Sequence, residues 1–165
     1  MANTLPIRKN IRLAEYDYSS NGYYFVTICT NDRQMLLGDI VEDAIYNFSR
    51  VDLTPLGVCV DQTIQIANKA DIKIDKYVIM PNHMHMIIVL CNSAGDRGRS
   101  PLQQVVRNIK SYVTKSVGFS PWQKSFHDRV IRSESEYQKI WQYIDNNPAN
   151  WVDDCYYTNH QEAIQ

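Results

Sequence analysis

Two histidines stand one residue apart in the run Met80-Pro81-Asn82-His83-Met84-His85-Met86-Ile87-Ile88-Val89-Leu90. In a β-strand, residues i and i+2 project from the same face. Extended, His83 and His85 therefore stand side by side, with Ile87 and Val89 behind them. Imidazole is a common ligand for divalent metals, and two rings so placed can share one ion. Pro81-Asn82 is a turn signal, so the pair opens a strand just after a reversal. Spacing alone also fits a plainer reading, in which both rings are half-exposed polar residues at a strand end.

A second chemically equipped stretch lies near the C-terminus. Ser133-Glu134-Ser135-Glu136 is a capping box that opens a helix. Tyr137, Ile140, Trp141 and Ile144 recur at helical spacing as its buried stripe. Each residue of a helix turns about 100°, which sets Tyr143 and Asn147 roughly 60° and 20° from Ile140, on one edge of the stripe. The two are i, i+4 neighbours, with Lys139 one turn before Tyr143 on the same edge. A phenol and a carboxamide at a core boundary can face a metal site on an adjoining sheet. Tyr is equally a routine amphipathic edge residue, and Asn a routine helix terminator. Tyr112 is a rival nucleophile, but it falls inside the apolar stripe of residues 102–113, which argues for core packing. His127, beside Asp128, is a further candidate ligand that reads better as structural or solvent-facing. His160 falls in a polar tail and takes no role.

The elements that must position these groups follow from pattern. Tyr23-Tyr24-Phe25-Val26-Thr27-Ile28-Cys29-Thr30, after the Asn21-Gly22 turn, is rich in β-branched and aromatic residues and reads as a strand. Residues 31–39 read as a loop, and residues 40–52 as a short strand and a turn. Thr54-Pro55 opens a helix whose stripe is Leu56, Val60, Ile64 and Ala67, running to about Asn68. Residues 72–80 alternate as a strand and pair with residues 83–90 as a hairpin. Residues 91–100, with Gly95, Arg97, Gly98 and Arg99, form a basic loop. Ser100-Pro101-Leu102-Gln103 caps a helix with stripe Leu102, Val105, Val106, Ile109, Tyr112 and Val113, ended by Gly118. Residues 126–132 form the last strand, and Pro148 disfavours a helical conformation at Asn147, ending the last helix. The expected order β-α-β-β-α-β is an α+β, ferredoxin-like (RRM-like) antiparallel sheet with helices on one face, plus an added C-terminal helix.

The 165 residues point to one domain, residues 1–165, with its core at about 8–152. The formal net charge of -1 gives no global basic field, so a nucleic-acid partner must be held by a local patch. Arg8, Lys9 and Arg12, Arg97 and Arg99, and Arg107, Lys110 and Lys115 flank the His83 strand and are the candidates. Cys29, Cys59, Cys91 and Cys155 lie far apart without a CxxC pair, which argues against a zinc ribbon and for reduced thiols in a cytosolic protein. Residues 1–10 lack the apolar core of a signal peptide. No run approaches the roughly 18 apolar residues of a membrane span.

In order along the chain, several segments carry a resemblance. They are Arg8-Lys9-Asn10-Ile11-Arg12-Leu13, Tyr24-Phe25-Val26-Thr27-Ile28-Cys29-Thr30, Tyr77-Val78-Ile79-Met80-Pro81, Pro81-Asn82-His83-Met84-His85, Trp122-Gln123, Val130-Ile131-Arg132 and Tyr143-Ile144-Asp145-Asn146-Asn147-Pro148. The set resembles the single-tyrosine HUH transposases, in particular the REP-associated tyrosine transposase group and its insertion-sequence relatives. The resemblance implies a metal-dependent endonuclease and strand transferase acting on single-stranded DNA hairpins as a monomer or homodimer, in a prokaryotic cytosol. It also implies that His83, His85 and Asn147 hold Mg²⁺ or Mn²⁺, and that Tyr143 is the nucleophile, aided by the metal or Lys139. The implied intermediate is a 5′-phosphotyrosine. The main alternative is an RRM-like, non-catalytic binder of single-stranded nucleic acid, weakened by the lack of an RNP1-like aromatic run.

If Arg97 and Arg99 touch the phosphate backbone, replacing both with Ala should reduce the log–log salt slope of single-strand binding by about 1.4, at about 0.7 per lost contact. Titrations across a range of salt concentrations measure that slope, and an unchanged value moves the patch to the N-terminal arm.

Overall fold

The computed structural model describes residues 21–43, 48–91 and 100–157. Arg8, Lys9, Arg12, Arg97, Arg99 and His160 lie outside the described residues. The chain is α+β. Its elements are β1 (Gly22–Cys29), β2 (Gly38–Asp43), β3 (Phe48–Leu53), α1 (Pro55–Ile66), β4 (Ile72–Ile79), β5 (His83–Leu90), α2 (Pro101–Val117), β6 (His127–Ile131) and α3 (Glu134–Asn146). Short 3₁₀ turns occupy Asn31–Arg33 and Trp151–Asp153.

A four-stranded sheet runs β4-β5-β1-β6, with every neighbouring pair antiparallel. Its two faces have different occupants. Tyr24, Val26 and Ile28 of β1 and Met84, Met86, Ile88 and Leu90 of β5 join the main core. There they meet Val60 and Ile64 of α1 and Leu102, Val105, Val106, Ile109 and Val113 of α2. Side chains alternate along a strand, so Phe25, Thr27, His83, His85 and Ile87 turn to the opposite face. That face is covered by α3, whose Ile140 and Ile144 pack on Ile87 and Ile131. Burying two such side chains contributes roughly 1.5–3 kcal/mol each, which holds α3 against the strand that carries the histidines.

Residues 40–52, expected to hold one short strand and a turn, instead contribute to a separate two-stranded ribbon, β2 with β3. Its strands are half-polar, with Asp39, Glu42, Arg50 and Asp52 among the paired positions, so period-2 apolar contrast is faint. Tyr112 also departs from the reading. It is 52% exposed rather than in the core. The buried residues of α2 centre near Leu102 and Val113, and Tyr112 sits about 80° from that axis.

The turn before the histidines is tied to the rest of the fold by backbone bonds. Leu37 N–H donates to the Pro81 carbonyl (2.9 Å), and Thr54 N–H donates to the Leu37 carbonyl (3.0 Å). Gly57 lies where a Cβ would stand 1.9 Å from the Leu37 oxygen. A backbone carbonyl cannot step aside as a side chain can. Gly57→Ala is therefore expected to lower stability by about 1–3 kcal/mol, the usual cost of overpacking, read as a drop in thermal midpoint.

Candidate metal and nucleophile site

β1 and β5 set the two histidines by register. His85 lies opposite Thr27 and His83 opposite Cys29. Both rings are buried, His83 at 0% and His85 at 1% exposure, so neither is the half-exposed strand-end residue that spacing also allowed. Their Nε2 atoms are 3.0 Å apart.

The outer ring nitrogens have partners that orient them. Asn82 Nδ2 donates to the Tyr156 carbonyl at 2.8 Å. Its amide oxygen thus faces His83 Nδ1 at 2.8 Å. An amide oxygen only accepts, so Nδ1 of His83 carries the proton and Nε2 presents a lone pair. His85 Nδ1 meets the Thr27 hydroxyl at 2.8 Å. A hydroxyl donates or accepts, so Thr27 tolerates either tautomer of His85. His85 Nε2 can then carry a proton toward His83, or be bare beside it for an ion.

α3 and the segment after it supply the rest. Tyr143 Oη lies 3.2 Å from His85 Nε2 and donates to Asp154 Oδ2 at 3.0 Å. Asn147 Nδ2 donates to the same carboxylate oxygen at 2.7 Å. Asn147 is buried, and its Oδ1 has no hydrogen-bond partner among the described residues. Although Pro148 follows, Asn147 keeps helical dihedrals (φ -58°, ψ -41°). Its carbonyl, like that of Asn146, accepts from Asn150 N–H, and this continuation of the turn keeps the carboxamide beneath the helix end.

His83, His85 and Asp154 place one ligand atom each within 4.8 Å of one another. With the orphaned Asn147 oxygen, the donor set is two imidazole nitrogens and two oxygens. Such a set suits a divalent first-row ion, and Mn²⁺ better than Mg²⁺, which favours oxygen. Asp154 was not among the expected ligands. Its position depends on the 3₁₀ turn at Trp151–Asp153 carrying the chain back over the sheet, and an Asp153-Asp154 pair after a helix carries no local signal of that return.

Aromatic rings close the site. Phe25 stacks on His85 (centroids 5.2 Å), Tyr156 lies 4.6 Å from His83, and Trp151 lies 5.8 Å from it. Arg33 sits 5.2 Å over the Tyr156 ring and donates to the Cys155 carbonyl at 3.3 Å. Arg33 holds φ 53°, an uncommon left-handed conformation for a side chain of its size. Neither Arg33, Tyr156, Asn82 nor Thr27 is conspicuous in the sequence as a site residue.

The other candidates are placed elsewhere. Lys139 is exposed on α3 and takes no part in the site's hydrogen bonds. Arg107, Lys110 and Lys115 are on α2, across the sheet from the histidines. Lys110 donates to the Gln123 and Ser125 carbonyls, both at 2.8 Å, and burial lowers its pKa to about 8. Tyr112, on α2, is across the sheet as well. By contrast, His127 is exposed but lies on the site's own face of the sheet, paired with Thr27 on β6.

The electrostatics suit metal ligation more readily than phenolate formation. Burial lowers the His83 pKa to about 4, against a smaller upward pull from Asp154. Burial, then the neighbouring His83, lowers that of His85. Both rings are therefore neutral at pH 7 with lone pairs available. Burial, then Asp154, pushes the Tyr143 phenol well above its ordinary range.

The unfolded chain has an ordinary His pKa of about 6.5, so it binds protons that folded His83 refuses. The stabilisation from the neutral ring is present above pH 6.5 and lost as pH falls toward 4. In ¹⁵N-resolved NMR of the metal-free protein, the His83 ring signals should stay constant from pH 8 to pH 5.5, roughly a unit below the ordinary midpoint. A midpoint near 6.5 would mean that the ring is hydrated.

No family model matches the chain. It is 33% identical to an uncharacterized protein of Haemophilus influenzae (strain ATCC 51907 / DSM 11121 / KW20 / Rd), over 92% of this chain and 94% of that one. Among solved structures it is similar to a REP-associated tyrosine transposase bound to a REP hairpin. That match has a TM-score of 0.57 and 25% identity, over 84% of this chain and 74% of the other. The paired histidines and the tyrosine beside them thus sit on a fold similar to that of a REP-associated tyrosine transposase.

Proposed function

We propose that this protein is a single-tyrosine HUH enzyme that nicks and rejoins single-stranded DNA beside hairpin-forming palindromes. The observation that carries the reading is the Tyr143 hydroxyl 3.2 Å from His85 Nε2, itself 3.0 Å from His83 Nε2. Tyr143, 41% exposed, thus shares one corner of the sheet with a buried two-imidazole donor set. The similar REP-associated transposase, which is bound to a REP hairpin, supports a hairpin as substrate. The reading extends to the fold. The order β4-β5-β1-β6, with α1 and α2 as crossovers, supports a ferredoxin-like sheet with α3 added on its open face. Among the described residues no helix is long and apolar enough to cross a membrane, which accords with action on DNA in the cytoplasm.

The chain's own residues have separable tasks. His83, His85 and Asn147, with Asp154, would hold a divalent ion, Mg²⁺ or Mn²⁺. When bound, such an ion neutralises phosphate charge and favours phenolate over phenol. Tyr143 Oη attacks the phosphorus. A bond forms between that oxygen and phosphorus, the bond to the 3′-oxygen breaks, and the departing oxygen takes a proton as a free 3′-hydroxyl. Asp154, already accepting the Tyr143 hydrogen bond, is placed to receive the phenol proton. Because the phosphotyrosine preserves the ester's energy, a 3′-hydroxyl can attack it in reverse and join strands. Asn82 and Thr27 act by fixing the imidazole orientations, as outer partners of metal-binding histidines do. Since His83 and His85 are 0% and 1% exposed, phosphate reaches an ion held there only after Tyr156, whose ring lies 4.6 Å from that of His83, turns away.

Incubation with Mn²⁺ and a labelled hairpin oligonucleotide should yield a denaturant-stable adduct on Tyr143, absent from Tyr143→Phe. His83→Ala should reduce adduct formation by more than the about 10–100-fold that loss of an outer-shell partner costs. An adduct that survives in Tyr143→Phe, or one mapped to Tyr112, overturns the reading. Tight binding with no adduct in the wild type favours the non-catalytic RRM-like alternative.

A further inference from the structure

The site occupies only one end of its face of the sheet. α3 lies over β4 and β5, and its apolar stripe is used against Ile87 and Ile131. The same face continues along β1, whose odd-numbered residues run from Thr27 through Phe25 to Tyr23. Phe25 stands at the catalytic end, with its ring centroid 6.1 Å from that of Tyr143. Tyr23 stands at the far end, 45% exposed, edge-on to Tyr137 at 5.6 Å.

Beside Tyr23 opens a pocket of about 470 Å³, bounded by the start of α3. That is within the roughly 300–1,000 Å³ of small-molecule sites. Val89 and Ile131 give it an apolar lining, and Lys73, Arg132, Asp75 and Glu134 its charged groups. Two cations against two carboxylates leave no net charge, so phosphate alone gains little there. An aromatic face, an apolar lining, and hydrogen-bond donors and acceptors together match a flat ring with a polar rim. Val89 follows His85 by four positions on β5, a separation of about 13 Å along the strand. A DNA strand held at Tyr143 spans that distance in a few nucleotides.

We propose that this pocket takes one unpaired nucleobase of the strand that is cut, stacked on Tyr23 a few nucleotides from the scissile phosphate. The assignment rests on the DNA-cleaving reading and adds to it a second point of contact. Base–aromatic stacking tolerates any base. Asp75 is held by Lys73 and Tyr137, and Glu134 by Gln138, so it is the N–H donors of Lys73 and Arg132 that can discriminate among bases by their edges.

The test uses hairpin oligonucleotides with a single abasic site at successive positions on either side of the cleaved bond. Binding is measured for the full chain and for Tyr23→Ala. One position, a few nucleotides from the cut, should weaken wild-type binding by about tenfold, the scale of one lost stack. In Tyr23→Ala that position should carry no penalty, while the other positions behave as in the wild type. Tyr23→Phe, which keeps the ring, should restore the penalty. If Tyr23→Ala does not fold, Tyr23→Leu takes its place, with apolar bulk but no aromatic face. A flat abasic profile, or a penalty that persists without the Tyr23 ring, overturns the proposal. The Tyr143 adduct is assayed on the intact oligonucleotide in parallel. Its absence defeats the cleavage reading, whereas an adduct with a flat profile defeats only the pocket.

Discussion

Two imidazoles with Nε2 atoms 3.0 Å apart are stable neighbours only while at least one is uncharged. Two imidazolium ions at that distance would repel strongly in a medium of low dielectric. Burial solves the problem by making the charged form costly, so both rings stay neutral. The cost is that each outer nitrogen needs a partner, and Asn82 and Thr27 provide them. A pair of buried, neutral, oriented imidazoles is also what a divalent ion requires. The packing that stabilises the rings therefore leaves them prepared for ligation.

That arrangement depends on the sheet having two different faces. Even-numbered residues of β1 and β5 serve the main core with α1 and α2, and odd-numbered residues serve the site. A slip of one residue in β5 would turn the histidines into the apolar core and expose Met84 and Met86. The methionines that flank His85 thus fix the register on which the chemistry depends. α3 then closes the second face with Ile140 and Ile144, flanked by Tyr137 and Trp141, which brings the Tyr143 edge of the helix against His85.

The segment from Asn147 to Tyr156 gives the site its present character. Asp154 gathers Tyr143 and Asn147 on one carboxylate oxygen. Tyr156 shields His83, and Arg33 fastens the segment from outside. Burial, and then the negative charge of Asp154, opposes ionisation of the phenol, so without added positive charge Tyr143 is a poor nucleophile in this arrangement. Protection of the site and readiness of the site pull in opposite directions, and the balance is set by a stretch with few apolar anchors beyond Trp151.

Local periodicity made part of this legible. A period of two put His83 and His85 on one face, and a period of 3.6 put Tyr143 and Asn147 on one edge of a helix, because both are properties of the backbone within a few residues. Turn residues and caps such as Thr54, Ser100 and Ser133 marked the helix starts for the same reason. The ribbon β2–β3 was faint because its half-polar strands lack apolar contrast, and Tyr112 was misjudged because a helix edge reads much like its stripe. What only the tertiary structure decided is what stands opposite each of these groups. Asp154, Tyr156 and Arg33 reach the histidines through a chain reversal and packing across the sheet, and no spacing in a one-dimensional sequence encodes which distant side chain fills a given volume.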